Sequence, residues 1–315
     1  MPSPLAALLL PHLTVLEDAP LARYTRFAVG GPARILADAA TEMALTEALR
    51  AIEESGESRT IMGGGTNLVA SDRGFPGIVL RYANAALTFS GDTVHVASGV
   101  VLQDLVDATV AQGLRGLETM TGIPGWVGGA IYGNAGAYGH SIQERVVSVR
   151  FLERGRVHEI GNAACEFAYR ESIFKRRKDA VVLSATLQLE PASVKELRAT
   201  ADGILRIRNE KYPPTMRCAG SIFKNLLWND LPEVVRAVIP AGVVREGKVP
   251  AAYFLEQAGA KGMQRGGVRV ADYHANLIYN EGGGTAQEVH DLIDDLKHRV
   301  RERFGLDLEE EVQYI

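Results

Sequence analysis

Gly122-Ile123-Pro124-Gly125-Trp126-Val127-Gly128-Gly129-Ala130 continues, two residues on, as Gly133-Asn134-Ala135-Gly136-Ala137-Tyr138-Gly139. Glycine brings no side chain to a core and loses the most backbone freedom on folding. Its use is to let the backbone turn sharply or come close to something else. A second loop of this kind, Gly63-Gly64-Gly65-Thr66-Asn67, directly follows Thr60-Ile61-Met62, which reads as a short strand. Consecutive N–H groups in such turns form nests for phosphate oxygens. Absent side chains also admit a flat cofactor and its pyrophosphate. Neither loop has the GxGxxG spacing with an acidic residue beyond the next strand, and no GxxxxGK[ST] segment occurs. A Rossmann dinucleotide site and a P-loop NTPase are therefore disfavoured. One such loop is explained by tight turns alone; two, on separate strand–helix units, weigh against that explanation.

Around these loops the pattern alternates strands and helices. Ala33–Leu36 reads as a strand. Met43, Leu45, Leu49 and Ile52 predict an amphipathic helix from Thr41 to about Gly56. Ile78–Leu80 and Thr93–Ala97 read as strands. Leu102, Leu105, Val106 and Val110 predict a helix closed by Gly113. Strand patterns follow the glycine passage at Val146–Leu152 and Val181–Leu189. Residues 193–212 predict a helix with Val194, Leu197, Ile204 and Ile207 inward, stopped by Pro213-Pro214. Later come a helix over Ala251–Gln257 and a strand over Asn276–Tyr279. The last helix opens with Thr285 and Glu288 in a capping-box pattern. Val289, Leu292, Ile293, Leu296, Val300 and Phe304 line one face of it, and it ends at Gly305. The tail Leu308–Ile315 reads as a terminal strand.

A net charge of -4 offers no basic field for nucleic acid. Cys165 and Cys218 have neither metal-ligand nor CxxC spacing, so no metal and no disulfide are expected, and a reducing cytoplasm suits them. The apolar run Leu5 to Leu10 has no basic flank and meets Pro11 and His12, which argues against a signal peptide. No apolar stretch is long enough to span a bilayer, so no membrane partner is expected.

Ala219-Gly220-Ser221-Ile222-Phe223-Lys224-Asn225 gathers a hydroxyl, an ammonium and a carboxamide around one glycine. In a plain strand Ser221, Phe223 and Asn225 share one face, and Ile222 and Lys224 the other. A turn at Gly220 breaks that alternation and can bring Ser221 and Lys224 to one cavity. Taken by itself the stretch reads sooner as a strand after a tight glycine turn, with Lys224 solvated.

In order along the chain, Thr25-Arg26-Phe27-Ala28-Val29-Gly30-Gly31-Pro32-Ala33, Gly63–Leu68, Gly74-Phe75-Pro76-Gly77, the long glycine passage, Tyr169-Arg170-Glu171-Ser172-Ile173-Phe174, Ala219–Asn225, Leu255-Glu256-Gln257-Ala258-Gly259 with Lys261-Gly262, His274-Ala275-Asn276 and Leu308-Glu309-Glu310-Glu311-Val312 resemble the MurB family, the UDP-N-acetylenolpyruvoylglucosamine reductases. Each motif alone is weak; the ordered set, from about Leu21 to the C-terminus, is specific. The resemblance implies an α+β chain of three subdomains, with the FAD-binding fold of vanillyl-alcohol oxidase-like (PCMH-type) flavoproteins and a C-terminal substrate domain. Residues 1–82, joined by the strand at 306–315, and 83–212 would clasp FAD; 213–305 would bind substrate. It further implies noncovalent FAD, NADPH as co-substrate, a UDP-sugar enolpyruvyl ether as substrate, and a cytoplasmic monomer making a peptidoglycan precursor.

The resemblance assigns Ser221 as proton donor, Arg170 as the active-site arginine and Glu311 as the C-terminal catalytic glutamate. Spacing alone does not separate Glu311 from Glu309, which share a face in a strand. It implies cofactor contacts at Gly63, Gly64, Gly65, Thr66, Asn67, Gly122, Gly125, Gly128, Gly129, Asn134 and Gly136. Lys224, Asn225, His274 and Asn276 are expected to contact substrate. For His274 a satisfied structural histidine fits as well, and Lys175-Arg176-Arg177-Lys178 reads as a solvated basic turn. Between Arg170 and Ser221 there is room for one strand, one helix and Pro213-Pro214 only. The chain thus resembles the shorter type, without the inserted segment whose tyrosine closes over substrate. Two alternatives remain: a flavin oxidase of the same superfamily, and a noncatalytic nucleotide-sugar or flavin binder.

Overall fold

The computed structural model describes Leu8 and residues 10–315, so of the run Leu5 to Leu10 only Leu8 and Leu10 fall within the described residues. The chain forms two compact units. The first takes the described part of residues 1–19 with 33–65 and 76–210; the second takes 20–32, 66–75 and 211–315. Among the described residues no helix is long and apolar enough to cross a membrane. Both cysteines are free and buried, and burial pushes the Cys165 thiol up to about 11.

In the first unit a four-stranded sheet has the order Leu13–Pro20, Pro32–Ala39, Phe75–Tyr82, Arg59–Ile61. The last pair is parallel, with Thr60 opposite Val79. Helix Glu42–Ser55 lies over this sheet. Thr41 caps it by accepting the Ala44 N–H at 3.1 Å, and Gly56 closes it at φ +69°. Its buried stripe is Ala44, Leu45, Ala48 and Ile52. Met43, expected inward, is 59% exposed; the alanines take its place and let the helix approach Ile35, Ala37 and Leu80 closely.

The unit's second sheet is antiparallel throughout, in the order Arg156–Gly161, Val146–Glu153, Val181–Gln188, Thr93–Ala97, Leu87–Ser90. Helix Leu102–Ala111 and the short helix Val127–Tyr132 share its core with Val94, Val96, Val149 and Leu187. That short helix lies inside the glycine passage, which periodicity did not assign to any element. Gly128 and Gly129 are poor helix formers, so packing of Val127, Ala130 and Ile131 sets the conformation. Helix Val194–Lys211 buries Leu197 and Ala201. Val194 and Ile207 point outward instead, Ile207 because ten residues beyond Leu197 lies about 80° off its stripe.

The second unit centres on an antiparallel sheet of Arg217–Ser221, His274–Asn280, Val268–Ala271 and Gln264–Arg265. Helices Ala251–Gln257 and Ala286–Phe304 cover one face, with Phe254, Leu255, Val289, Leu292 and Leu296 against Val268, Val270 and Ile278. Thr285 and Glu288 form the expected reciprocal cap, and Gly305 ends the last helix at φ +66°. The tail is not one strand. Residues 309–311 run beside 222–224 through a single bridge, Phe223 to Glu310. Only Gln313–Tyr314 is a strand, and it pairs parallel with Leu68–Val69.

Candidate active site

The two glycine loops meet within the first unit. A Cβ on Gly64 would lie 3.1 Å from the Trp126 ring and 3.3 Å from the Gly125 Cα. Trp126 is itself held by Arg81, whose guanidinium lies 5.2 Å from the ring centroid and grips Asp38 with bonds of 2.6 and 2.5 Å. Several of the glycines answer to the protein's own packing. Gly128 clears Ser98, Gly136 clears the His140 carbonyl, Gly65 has φ +65° and Gly125 has φ +119°. The Val127 and Gly128 N–H groups donate to the Val100 and Ser98 carbonyls at 2.9 and 2.8 Å. They pin the loop and are not available to a phosphate.

Gly63 and Gly129 differ from the rest. A Cβ at either would meet nothing within 4 Å, and neither needs a positive φ. Protein packing gives no reason for glycine there, whereas a flat cofactor lying against the loops does. The residues present therefore fit a flavin.

Arg170 sits at the tip of a tight turn. Ala168 and Glu171 exchange backbone hydrogen bonds of 3.0 and 3.1 Å, and Arg170 takes φ +58°. A left-handed arginine is strained, a feature that clusters at functional positions. The turn is fastened from several directions. Asn134 Nδ2 donates to the Ala168 carbonyl at 2.8 Å, the Ser172 hydroxyl donates to the Tyr132 carbonyl at 2.7 Å, and Lys175 Nζ donates to the Arg170 carbonyl at 2.5 Å. Lys175 is thus not a solvated cation as the sequence suggested; its side chain is 15% exposed. Arg176 and Arg177 pair with Glu166 and Glu153. Asn134, 3% exposed, accepts the Gln143 N–H as well, so it ties the glycine passage to the arginine turn.

Ser221 is set by a β-bulge in the second unit. Cys218 pairs with Tyr279 and Ser221 with Leu277, so three steps on one strand match two on the other. Gly220, at φ +78°, takes up the extra residue. This is the break in alternation that a turn at Gly220 allows, where the stretch by itself favoured a plain strand. Beyond it, Asn276 replaces the ladder. Its carbonyl accepts the Ile222 N–H at 3.1 Å, and its side-chain amide exchanges bonds of 2.9 and 2.8 Å with the Phe223 backbone. Asn276 is 2% exposed. The Asn225 side chain accepts the Ala251 N–H at 3.3 Å, at the start of helix Ala251–Gln257. Tyr212, absent from the sequence-based candidates, places its hydroxyl 3.3 Å from Ser221 Oγ. Nothing in residue spacing marks it, because the bulge and the Pro213 turn bring the two together.

The acidic tail is laid along this segment. Lys224 N–H donates to the Glu309 carbonyl at 2.9 Å, and Glu311 N–H to the Ile222 carbonyl at 2.7 Å. Asn67 Nδ2 donates to the Glu311 carbonyl at 2.9 Å, so the end of one glycine loop fixes the glutamate's backbone. The Glu309 and Glu310 carboxylates take different partners. Glu309 meets Lys224 Nζ at 2.5 Å. Glu310 turns to Lys297, at 2.8 Å, and to Tyr314. Burial would raise the Glu310 carboxyl, but hydrogen bonds from Lys297 and Tyr314 outweigh it and hold it below the ordinary range.

His274 Nδ1 accepts the Asn276 N–H at 3.1 Å. Burial pushes its imidazole down to about 4, helped by the Lys211 and Lys261 charges against smaller opposing effects of a backbone hydrogen bond and Glu256. The folded protein therefore binds fewer protons here than the unfolded chain between about pH 6.5 and 4, and stability falls as pH drops through that window. Glu144 and Glu310, held below the usual carboxylate value of 4.5, stabilise above it and lose that contribution below it. The two windows overlap only between about pH 4.5 and 4. We expect His274→Gln to flatten the decline in urea stability between pH 6.5 and 4.5; an unchanged slope would assign the decline elsewhere.

Comparison with known proteins places the chain in a family. A family model described as UDP-N-acetylenolpyruvoylglucosamine reductase, C-terminal domain, matches residues 212–315, and one described as FAD binding domain matches 33–161. The UDP-N-acetylenolpyruvoylglucosamine reductase of Solibacter usitatus is 57% identical over 306 residues, 97% of this chain and 98% of that one. The Bacillus subtilis protein of the same name is 34% identical over 304 residues, 96% of this chain and 94% of its own. The crystal structure of MurB from Thermus caldophilus superposes with a TM-score of 0.74 at 27% identity, covering 96% of this chain and 98% of that one. The fold is α+β with an FAD-binding domain. The chain belongs to the family of UDP-N-acetylenolpyruvoylglucosamine reductases, FAD-dependent oxidoreductases of peptidoglycan precursor synthesis.

Proposed function

We propose that Ser221, Arg170 and Glu311 carry the reduction of UDP-N-acetylglucosamine enolpyruvate to UDP-N-acetylmuramate, with NADPH as electron source. Bound FAD supplies the hydride for the terminal vinyl carbon. Negative charge then develops on the neighbouring carbon and spreads into the substrate carboxylate. Ser221 Oγ–H delivers the proton to that carbon. The Arg170 guanidinium forks the carboxylate as its charge grows. Glu311, its backbone fixed by Ile222 and Asn67, hydrogen-bonds the enediolate in its protonated form. The observation that carries this reading is the Gly220 bulge, which sets Ser221 out of strand alternation, with the Glu311 backbone locked to Ile222 one residue on.

Lys224, Asn225 and His274 contact the diphosphate and sugar. His274 suits this as a neutral donor: its Nδ1 already accepts, so its hydrogen lies on Nε2. Asn276 and Asn134, with their amides engaged by backbone, act by holding the Ser221 and Arg170 segments. Gly63 and Gly129 lie against the cofactor, and Gly64, Gly65, Thr66, Asn67, Gly122, Gly125, Gly128 and Gly136 shape the loops around it. Functionally the chain divides into two FAD-clasping subdomains, 1–82 with 306–315 and 83–212, and a substrate subdomain, 213–305. The enzyme works as a cytoplasmic monomer, a compartment that suits its two buried free thiols.

The test is NADPH oxidation by the purified protein with and without UDP-N-acetylglucosamine enolpyruvate. Substrate-dependent oxidation with UDP-N-acetylmuramate formed is expected; electrons passing only to oxygen would favour the oxidase reading. The cradle has its own test in Gly129→Ala. Helix propensity should leave the apoprotein as stable or up to about 1 kcal/mol more so. FAD affinity should fall about tenfold or more, ~1.4 kcal/mol. Unchanged flavin affinity by titration would remove Gly129 from the cofactor surface.

A further inference from the structure

We propose that Tyr212 is a positioning residue for Ser221 and relays a proton to it, an inference that rests on Ser221 being the proton donor. The two hydroxyl oxygens lie 3.3 Å apart in the second unit. Tyr212 is held there by several contacts. Its ring packs against the small buried cluster of Cys218, Ala271 and Leu277. The Tyr273 hydroxyl donates to the Lys211 carbonyl at 2.8 Å, which fixes the backbone just before it. Pro213 follows, with its carbonyl accepting the Met216 N–H at 2.8 Å. Ser221 is equally constrained by the Gly220 bulge. Both ends of the contact are therefore preorganised, which is what a proton path needs.

The chemistry gives the contact a task. A serine hydroxyl that protonates carbon becomes an alkoxide, a strong base in a half-buried site. A phenol is a much stronger acid than an aliphatic alcohol. As the Ser221 O–H bond breaks and the new C–H bond forms, the Tyr212 O–H proton passes to Ser221 Oγ. Ser221 ends neutral and Tyr212 ends as tyrosinate. Lys211 Nζ lies 5.1 Å from the Tyr212 ring centroid and offsets that charge. Water then returns the proton to Tyr212. No redox equivalent is needed beyond the hydride the reaction already uses.

Tyr212→Phe tests this, because phenylalanine keeps the ring packing and removes only the hydroxyl. Enzyme prereduced with NADPH is mixed with UDP-N-acetylglucosamine enolpyruvate, and product is quantified over a single turnover in H2O–D2O mixtures. We expect product formation to slow roughly tenfold to a hundredfold, with flavin reduction by NADPH unchanged. The proton inventory should pass from curved, with two protons in flight, to linear. A parent-like rate and a parent-like curved inventory in Tyr212→Phe would overturn the relay. Ser221→Ala run in parallel separates the two ideas. A parent-like rate there removes Ser221 as donor and the relay with it. A stalled Ser221→Ala beside a parent-like Tyr212→Phe removes the relay alone.

Discussion

Ser221→Ala should lower turnover by about a thousandfold or more while NADPH still reduces the flavin at the parent rate. The asymmetry follows from where Ser221 sits. It belongs to the bulged edge of the second unit's sheet, and its neighbours there are Leu277 across the ladder and Tyr212 at its hydroxyl. Alanine fits the same bulge, because the φ +78° that makes the bulge belongs to Gly220. The backbone bonds that fix the segment, Ile222 to Asn276 and Glu311 to Ile222, involve no serine atom. Fold, flavin binding and the first half-reaction should survive. What disappears, on the role proposed for Ser221, is the hydrogen that carbon must receive. Without it the charge developing beside the substrate carboxylate would not be quenched, and product would not form. Stopped-flow absorbance separates the halves: normal bleaching by NADPH followed by a stalled recovery with substrate. If recovery proceeds within about threefold of the parent, another group protonates the carbon.

How far the chain could be read without coordinates depends on how local each cause is. The last helix was legible in full, because Thr285, Glu288, the 3.6-residue stripe and Gly305 are all local signals. The Gly220 turn was legible for the same reason: a glycine beside polar residues in a strand marks a bulge. Met43 and Val194 were misplaced, because their burial depends on which side of the helix a sheet happens to cover. The short helix through Gly128 and Gly129 opposes its own propensities and exists through the packing of Val127 and Ile131. Among site residues, Gly63 and Gly129 could be recognised as glycine-rich. Which glycines answer to protein packing and which face open space needed neighbours distant in sequence, such as Ser98 against Gly128 and Trp126 against Gly64. Lys175 was hidden in a basic run, and its bond to the Arg170 carbonyl has no sequence signature. Tyr212 lies nine residues from Ser221, a spacing that means nothing until the bulge is formed.

Arg170→Lys should reduce kcat roughly a hundredfold to a thousandfold, with the fold and flavin content intact. The turn explains why this substitution is informative. Ala168 and Glu171 close it through backbone bonds, and Lys175, Asn134 and Ser172 anchor it through the Arg170 carbonyl, the Ala168 carbonyl and the Tyr132 carbonyl. None of these uses the guanidinium. Lysine also has a Cβ, so the strain of φ +58° is the same in both proteins. The charge is retained while the planar fork is lost, and a single ammonium cannot hold both oxygens of a carboxylate as it becomes an enediolate. The loss should therefore appear in kcat more than in substrate affinity. Arg170→Gly makes the complementary point. Glycine takes φ +58° without the penalty of about 1 kcal/mol or more borne by other residues. Its melting temperature should stay within a few degrees of the parent's although turnover is lost, because the relieved strain offsets the lost contact of the guanidinium with the Tyr169 ring and glycine's larger unfolded-state entropy. A protein that stays about as stable when its arginine is removed keeps that strained residue for chemistry. A clear drop in melting temperature for Arg170→Gly, or a kcat within about threefold of the parent for Arg170→Lys, would make Arg170 a structural residue instead.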